Sequence, residues 1–237
     1  MKLEKTIKKI ETFLKENTQD LNGCVLGISG GVDSAVVAYL SVNALGKEKV
    51  HGILMPYDKQ STQDAVLVAE KLGISYEMIN IKPIVEAFKQ AAPQYFSAKL
   101  SEGNLRARVR MCLLYGYANT KKMIVTGTGN KSEMMIGYFT KHGDGGVDIL
   151  PIAHLYKTQV WEIAKHLQVP KNIVEKAPSA ELWDGQTDEN EIGLDYSTLD
   201  KVLQGKKEGI EQKLVERVEK LKKGSWHKRI PPRGVKK

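Results

Sequence analysis

The chain lacks the long apolar run that a membrane-spanning helix requires. No apolar stretch approaches the roughly 20 residues needed to cross a bilayer. The N-terminal segment MKLEKTIKKIETFLKEN instead places charges between Leu3, Ile7, Ile10 and Leu14. This helical spacing predicts an amphipathic helix and not a signal peptide. We therefore expect a cytoplasmic protein with no membrane partner.

Cysteine is also scarce, with only Cys24 and Cys112 in 237 residues. They form no C-x-x-C pair and no ligand set with a nearby histidine, which argues against zinc and redox roles. A free cysteine usually packs as a small apolar residue. We expect Cys24, in a predicted strand, and Cys112, in a predicted helix, to lie in the core.

The net charge of +8 is not accompanied by the interleaved aromatic and basic residues that bind single-stranded nucleic acids. Much of the excess lies near the C-terminus, in KLKKGSWHKRIPPRGVKK. Positive charge also attracts small anionic substrates. We expect small-molecule partners and no nucleic acid.

Apolar strand-like segments alternate with helix-like segments along the chain. The predicted strands are GCVLGIS (23–29), VHGILMP (50–56), SYEMINI (75–81) and MIVTGTGN (123–130), and a long helix is predicted over 104–122. Such alternation is typical of an α/β fold with helices on both faces of a parallel sheet. We expect a doubly wound, mostly parallel five-stranded sheet, in a single domain over residues 1–237.

A glycine-rich loop, GISGGVDSA (27–35), follows the first predicted strand. Ligands of doubly wound sheets bind at the carboxyl ends of the strands. Gly30 and Gly31 allow the backbone to approach an oxyanion, while Ser29 and Ser34 offer hydroxyl donors. The N–H groups of the following helix favour an anion as well, so the loop fits a pyrophosphate.

The same loop has neither the GxxxxGK[ST] pattern with its lysine nor the GxGxxG dinucleotide fingerprint. It carries Asp33, which would repel a bare phosphate but is suited to a Mg²⁺ ion that bridges phosphates. The alternative explanation is an ordinary strand-to-helix turn in which Asp33 or Ser34 caps the helix.

SGGVDS resembles the pyrophosphatase loop of the N-type ATP pyrophosphatases, which cleave ATP between its α and β phosphates. Downstream, TGTGNKSEMMIGYFTKHGDGGVDILPIAHLYKTQVWEIAKHL resembles NAD synthetase along its whole length, as do KAPSAELWDGQTDENEIGLDY and HKRIPP. The resemblance covers nearly the whole chain. It implies a Rossmann-like fold and a ligase that amidates deamido-NAD with ammonia and ATP, releasing AMP and diphosphate.

The resemblance also implies roles for the residues that match the family's motifs. The residues implied to bind ATP are Gly27, Ile28, Ser29, Gly30, Gly31, Val32, Asp33, Ser34, Thr128, Lys157 and Ser179. The residues implied to bind deamido-NAD are Arg108, Lys141, Asp148, His227 and Lys228. Asp33 and Glu133 would hold Mg²⁺ and, with Lys157, make up the catalytic set.

Arg108 shares its predicted helix with Arg106 and Arg110, and these three side chains differ in direction. Arginine is well suited to bidentate phosphate binding, but we expect Arg106 and Arg110 to lie on a solvated helix face. The family's dinucleotide site lies at a two-fold interface, so the resemblance implies a homodimer with the helices around 104–119 contributing.

The nitrogen donor implied by the resemblance is free ammonia. Glutamine-dependent relatives carry a large N-terminal glutaminase domain, whereas only about twenty residues precede the first predicted strand here. Position 2 is Lys2 and not a catalytic cysteine. A separate glutaminase subunit is the remaining alternative.

Two other functions stay open at this point. A tRNA-modifying ATP pyrophosphatase would account for the basic C-terminus, but it requires a substrate-activating cysteine or an RNA-binding extension, and neither is evident. A non-catalytic, flavodoxin-like nucleotide-binding module would explain the fold and one glycine loop. It would not explain Asp33 together with Glu133.

Overall fold

The computed structural model describes residues 2–179, 183 and 185–235 of the protein. The strands are β1 (Cys24–Gly27), β2 (Val50–Leu54), β3 (Ser75–Met78) and β4 (Ile124–Val125). The helices are α1 (Leu3–Thr18), α2 (Val32–Leu45), α3 (Gln63–Leu72), α4 (Lys82–Ala91), α5 (Lys99–Lys121), α6 (Lys131–Ile136), α7 (Lys157–His166), α8 (Lys171–Glu175), α9 (Asp188–Ile192), α10 (Tyr196–Leu203) and α11 (Gln212–Gly224). Parts of three quoted segments, namely Met1, residues 180–182 and 184, and the final two lysines, lie outside the described residues.

The strands pair in parallel, in the order β3-β2-β1-β4. The chain therefore adds β2 and β3 on one side of β1 and then places β4 on the other side of β1. Ligands bind at such a switch point in open α/β sheets. The predicted α/β fold is confirmed, and the glycine-rich loop after β1 lies where the strand order reverses.

Successive residues of β1 contribute to two separate cores. Cys24 and Leu26 belong to a cluster with apolar residues of α1, α2 and α7, whereas Val25 belongs to a cluster with residues of α4 and α5. Strands covered on both faces are what a parallel sheet requires. A third cluster joins α6, α9, α10 and α11. None of the helices in the described part of the chain has the length and apolar character needed to cross a membrane.

The predicted fifth strand does not form within the described residues. Beyond β4, Thr126 and Ile149 make a single isolated parallel bridge. The Val125 N–H faces this outer edge and donates to the Asp148 carboxylate (2.8 Å), so a side chain binds there in place of a backbone carbonyl. Over the residues that the structure describes the sheet has four strands, so the prediction of five is wrong.

The two cysteines differ in exposure. Cys24 is fully buried in β1, as predicted, and burial raises the pKa of its thiol to about 11. Cys112 is exposed, so the prediction that it lies in the core is wrong. Cys112 follows the buried Val109 by about one helical turn, but the next buried residues of α5 are Leu114 and Ala118, which lie on the other side of the helix.

Thiol labelling should therefore occur in two well-separated steps. A maleimide should modify one thiol of the native protein rapidly and the second only after unfolding, because thiolate formation and access control reactivity. The Cys112→Ser variant should lose the rapid step. Rapid labelling of two thiols in the native protein would contradict the burial of Cys24.

Candidate active site

A cavity of about 580 Å³ lies at the carboxyl ends of the strands. The loop between β1 and α2 forms one wall, and α5, the 137–147 loop and the start of α7 contribute others. The cavity thus occupies the switch point of the sheet, which is the expected position for a ligand.

The β1–α2 loop is held by its own hydroxyl groups. The Gly31 N–H donates to Ser29 Oγ (3.2 Å), and Ser34 Oγ donates to the Gly31 carbonyl (3.0 Å). Gly30 has φ +83°, and a Cβ there would lie 2.9 Å from Cβ of Asp64, so this position requires glycine. Within the described structure no side chain caps the start of α2. Its first N–H groups therefore remain available for an anion.

The three predicted catalytic residues meet at one point of this cavity. Lys157 is the first residue of α7 and only 2% exposed. Its Nζ binds the Asp33 carboxylate and lies 3.6 Å from Glu133 Oε1. Burial opposes a charge at this position, but the Asp33 and Glu133 carboxylates raise the pKa of Lys157. Lys157 is therefore a buried cation placed between two carboxylates.

Asn130 orients both carboxylates and was not predicted as a site residue. Its side chain accepts from the Glu133 N–H (3.0 Å), while Glu133 Oε2 accepts from the Asn130 N–H (3.1 Å), forming a capping box at the start of α6. The Asn130 Nδ2 also donates to Asp33 Oδ1 (2.9 Å). An asparagine three residues before a glutamate was the sequence signal for the cap.

The two carboxylates fit a magnesium ion that arrives with phosphates. Their oxygens converge on the same cation, Lys157 Nζ, although they come from the first turns of two different helices, α2 and α6. Mg²⁺ is usually held by one or two carboxylates together with substrate phosphates and water. Among the described residues no group of three or more acidic, histidine or cysteine side chains that could hold a metal ion is present.

The surroundings of Glu133 shift the pKa of its carboxyl group. Burial raises the pKa of its carboxyl group to about 8; the Asp33 carboxylate adds to the rise and Lys157 opposes it. Burial and the Asp33 carboxylate therefore favour the protonated form of Glu133, and the Lys157 ammonium favours the ionised form. A further cation beside it would favour the ionised form.

A third buried carboxylate, Asp188, also lines the cavity and was not predicted. It is 4% exposed, and its Oδ2 accepts from the Tyr196 hydroxyl (2.9 Å). Burial raises the pKa of Asp188, while Lys157 lowers it. Lys157 Nζ lies 5.0 Å from the centre of the Tyr196 ring. Asp188 stands in an acidic run, and nothing in the local pattern separates it from its exposed neighbours.

Most of the other predicted ATP-binding residues line the same cavity. These are Gly27, Ile28, Ser29, Gly31, Val32, Ser34, Thr128 and Ser179. Gly30 belongs to the same loop but is not part of the cavity wall. The Ser179 hydroxyl donates to the Gln186 carbonyl (2.7 Å) and so joins two parts of the wall.

Four of the five residues predicted to bind deamido-NAD form one basic group at the cavity's edge. Arg108 donates to the Lys141 carbonyl (3.3 Å), and Lys141 Nζ donates to the His227 carbonyl (3.0 Å). Lys228 lines the cavity, and its Nζ donates to two backbone carbonyls of the 137–139 segment (2.8 and 2.6 Å). Burial lowers the pKa of Lys228, as do the neighbouring guanidinium groups.

Asp148 lies apart from this basic group. Besides the Val125 N–H, its carboxylate accepts from the Tyr115 hydroxyl (2.9 Å), and it does not line the cavity. In the protein without ligands, Asp148 therefore connects the outer edge of β4 to α5.

The expectation of solvated side chains for Arg106 and Arg110 is wrong. Arg106 pairs with Glu102, and its guanidinium lies 3.4 Å from the centre of the Tyr57 ring. Arg110 lines the cavity, and its Nε donates to the Met55 carbonyl (3.0 Å). Both arginines find partners on segments distant in sequence, which the spacing along α5 does not reveal.

A glycine-rich loop and an uncapped helix at the switch point of a parallel sheet define an α/β nucleotide-binding protein. Residues 5–232 match the family model described as NAD synthase. The chain belongs to the NAD synthase family.

Curated relatives and solved structures agree with this assignment. The NH(3)-dependent NAD(+) synthetase of Pyrococcus horikoshii is 53% identical, over 98% of this chain and 94% of that protein. Its counterpart from Archaeoglobus fulgidus is 48% identical, over 98% and 97%. The structure of an NMN synthetase from Francisella tularensis matches with a TM-score of 0.92 and 41% identity, covering 99% of both chains. An NH3-dependent NAD synthetase from Campylobacter jejuni matches with a TM-score of 0.85 and 30% identity, covering 100% of both.

Proposed function

We propose that the protein is an ammonia-dependent NAD synthetase. It uses ATP to amidate deamido-NAD with ammonia, giving NAD, AMP and diphosphate. The observation that carries the proposal is the convergence of Asp33, Glu133 and Lys157 beside the phosphate-type loop. The NH(3)-dependent synthetases among its relatives align over nearly their whole length, which supports the same activity here. No contact favours a tRNA-modifying enzyme or a non-catalytic module.

The reaction requires activation because a carboxylate is a poor electrophile. An oxygen of the nicotinate carboxylate attacks the α-phosphorus of ATP, and diphosphate leaves. Ammonia then attacks the acyl carbon of the adenylate, AMP departs with the carboxylate oxygen, and a proton is lost. The N–H groups at the start of α2 and the Lys157 ammonium would stabilise the charge on the phosphates, and the cavity walls would hold the reactants in line.

Asp33 and Glu133 would hold the Mg²⁺ ion, with Asn130 fixing both carboxylates. When bound, the ion neutralises charge on the departing diphosphate. Lys157 would then contact the phosphates, because a cation between two carboxylates can exchange one of them for a phosphate oxygen. These assignments also explain why the loop lacks the lysine of the GxxxxGK[ST] pattern, since the positive charge comes from α7 and not from the loop.

The basic group of Arg108, Lys141, His227 and Lys228 would bind the dinucleotide, with Asp148 as the fifth and more distant contact. Its place at the cavity's edge suits a substrate that extends beyond the ATP site. We further infer a homodimer and one domain over 1–237. Exposed apolar side chains in the 88–100 stretch support the dimer, and the family match over 5–232 supports the single domain. Cytoplasmic location stays a prediction.

Nicotinate mononucleotide (deamido-NMN) is the second candidate substrate. The similarity to an NMN synthetase of known structure, 41% identical over 99% of both chains, favours it specifically. Both candidates share the ATP chemistry and differ only in whether an adenylate is attached to the nicotinate nucleotide.

One assay tests the activity and chooses between these substrates. The protein with Mg²⁺·ATP and ammonium should release AMP and diphosphate only when deamido-NAD is present, with NAD formed in equal amount. Glutamine should not replace ammonium. A higher kcat/KM with deamido-NMN would transfer the assignment to the mononucleotide, and release of ADP would contradict both.

A further inference from the structure

A buried carboxylate outside the cavity connects the two helices that carry Glu133 and Lys157. Asp200 lies on α10 and is 1% exposed. One of its oxygens accepts from the Thr158 N–H (2.9 Å), and the other accepts from the Ser132 hydroxyl. Ser132 Oγ in turn accepts from the Lys157 N–H (3.0 Å). Asp200 thus reaches the first turns of both α6 and α7.

The hydrogen bonds to Asp200 come from residues that are next to Glu133 and Lys157 in the sequence. Ser132 immediately precedes Glu133, and Thr158 immediately follows Lys157. Because the Lys157 Nζ lies 3.6 Å from Glu133 Oε1, a shift between the starts of α6 and α7 changes that distance directly. We call these three hydrogen bonds, from Ser132 and Thr158 to Asp200 and from the Lys157 N–H to Ser132, the Asp200 tie. The Asp200 tie fixes both helix starts to α10.

We propose that Asp200 is a positioning residue that sets the place of the Lys157 ammonium relative to the Glu133 carboxylate. It does so through Ser132 and the N-terminus of α7. This inference rests on the proposed function, since it assumes that Lys157 and Glu133 act on ATP.

The tie requires a carboxylate at this position. An ionised aspartate accepts hydrogen bonds at both oxygens, and a serine hydroxyl donates one proton while accepting at its lone pairs. Ser132 therefore donates to Asp200 and keeps an acceptor for the Lys157 N–H. An asparagine at 200 has only one acceptor oxygen, so when it accepts from the Thr158 N–H its NH₂ group faces Ser132 Oγ, and the Ser132 hydroxyl proton loses its acceptor. The negative charge also suits the positive end of α7.

Positioning residues affect turnover more than binding, because small displacements of reacting groups are costly. A misplacement of about 1 Å can lower a rate by about a hundredfold. Removing one bond of the tie should lower kcat by about tenfold or more and leave the KM for ATP nearly unchanged.

The test compares Asp200→Asn with Asp195→Asn on the same helix. Asp195 caps α10 through the Thr198 N–H (2.9 Å) and hydroxyl (2.7 Å), and in the described part of the chain it makes no hydrogen bond to α6 or α7. Both variants should lose some thermal stability, but only Asp200→Asn should lose kcat. Wild-type kcat in Asp200→Asn, or an equal loss in Asp195→Asn at equal loss of stability, would overturn the proposal.

Ser132→Ala keeps the proposal testable where Asp200→Asn does not fold. This change removes the hydroxyl that links Asp200 to the Lys157 N–H and leaves the Thr158 bond in place. We therefore expect kcat to fall again while the KM for ATP stays nearly unchanged. Combined with Asp200→Asn, it should add little, because the two residues act as one unit. Wild-type kcat in Ser132→Ala would refute the tie.

A second readout separates failure of the tie from failure of the proposed function. Amide hydrogen exchange at Lys157 should be faster in Ser132→Ala and in Asp200→Asn than in wild type and Asp195→Asn. This holds whether or not the wild type forms NAD. Unchanged exchange would refute the tie even where the enzyme is active, and an inactive wild type would refute only the proposed function.

Discussion

Replacing Asp33 with asparagine should lower turnover by at least about a hundredfold while the protein stays folded. Asparagine keeps the volume and one acceptor oxygen, so the contact with Asn130 can persist. It removes the negative charge that pairs with the buried Lys157 ammonium and that would bind Mg²⁺. Because these charges stabilise the departing diphosphate, the loss should appear in kcat.

The measurement for Asp33→Asn is steady-state NAD formation alongside circular dichroism. Asp20→Asn is the control, since Asp20 is an exposed aspartate that does not line the cavity. Near-normal activity of Asp33→Asn would refute the charge-pairing and metal roles of this carboxylate.

Replacing Glu133 with glutamine should also abolish most activity, and it should change how stability depends on pH. The pKa of Glu133 is raised from 4.5 to about 8, with burial as the main cause. Between these values the folded protein keeps a proton that the unfolded chain has released. The free energy of unfolding therefore falls as pH rises, by up to about 1.4 kcal/mol per pH unit from this group.

Glutamine mimics the protonated acid, so Glu133→Gln should lack this slope. Without Mg²⁺ or nucleotide, the variant and wild type should unfold at similar temperatures near pH 5, and the variant should be the more stable at pH 9. Glu219→Gln, an exposed position paired with Lys222 (3.1 Å), should follow the wild type throughout. Parallel curves for wild type and Glu133→Gln would show that burial does not raise this pKa.

Local patterns predicted the elements that depend on neighbours in sequence. The four strands and the glycine loop follow from apolar runs and turn residues. The prediction of a fifth strand was wrong because, beyond β4, the pairing of the described residues does not extend past the single Thr126–Ile149 bridge. The prediction for Cys112 was wrong because α5 changes its buried side between Val109 and Leu114, and Cys112 is exposed there.

The site shows the same division between local pattern and long-range contact. The resemblance supplied Asp33, Glu133 and Lys157, and the structure brings these three together. Asn130 and Asp200 were missed because their contacts join residues 97 and 68 positions apart. Hydrogen bonds across such separations depend on how α6, α7 and α10 pack together. The spacing of residues within one helix does not predict that packing.

The most direct test of the proposed chemistry follows the oxygen atoms. Deamido-NAD carrying two ¹⁸O atoms in its nicotinate carboxylate should be converted with Mg²⁺·ATP and ammonium. Adenylation predicts one ¹⁸O in the phosphate of each AMP and one in the carboxamide of NAD. Unlabelled AMP, or label in ADP or inorganic phosphate, would contradict the account.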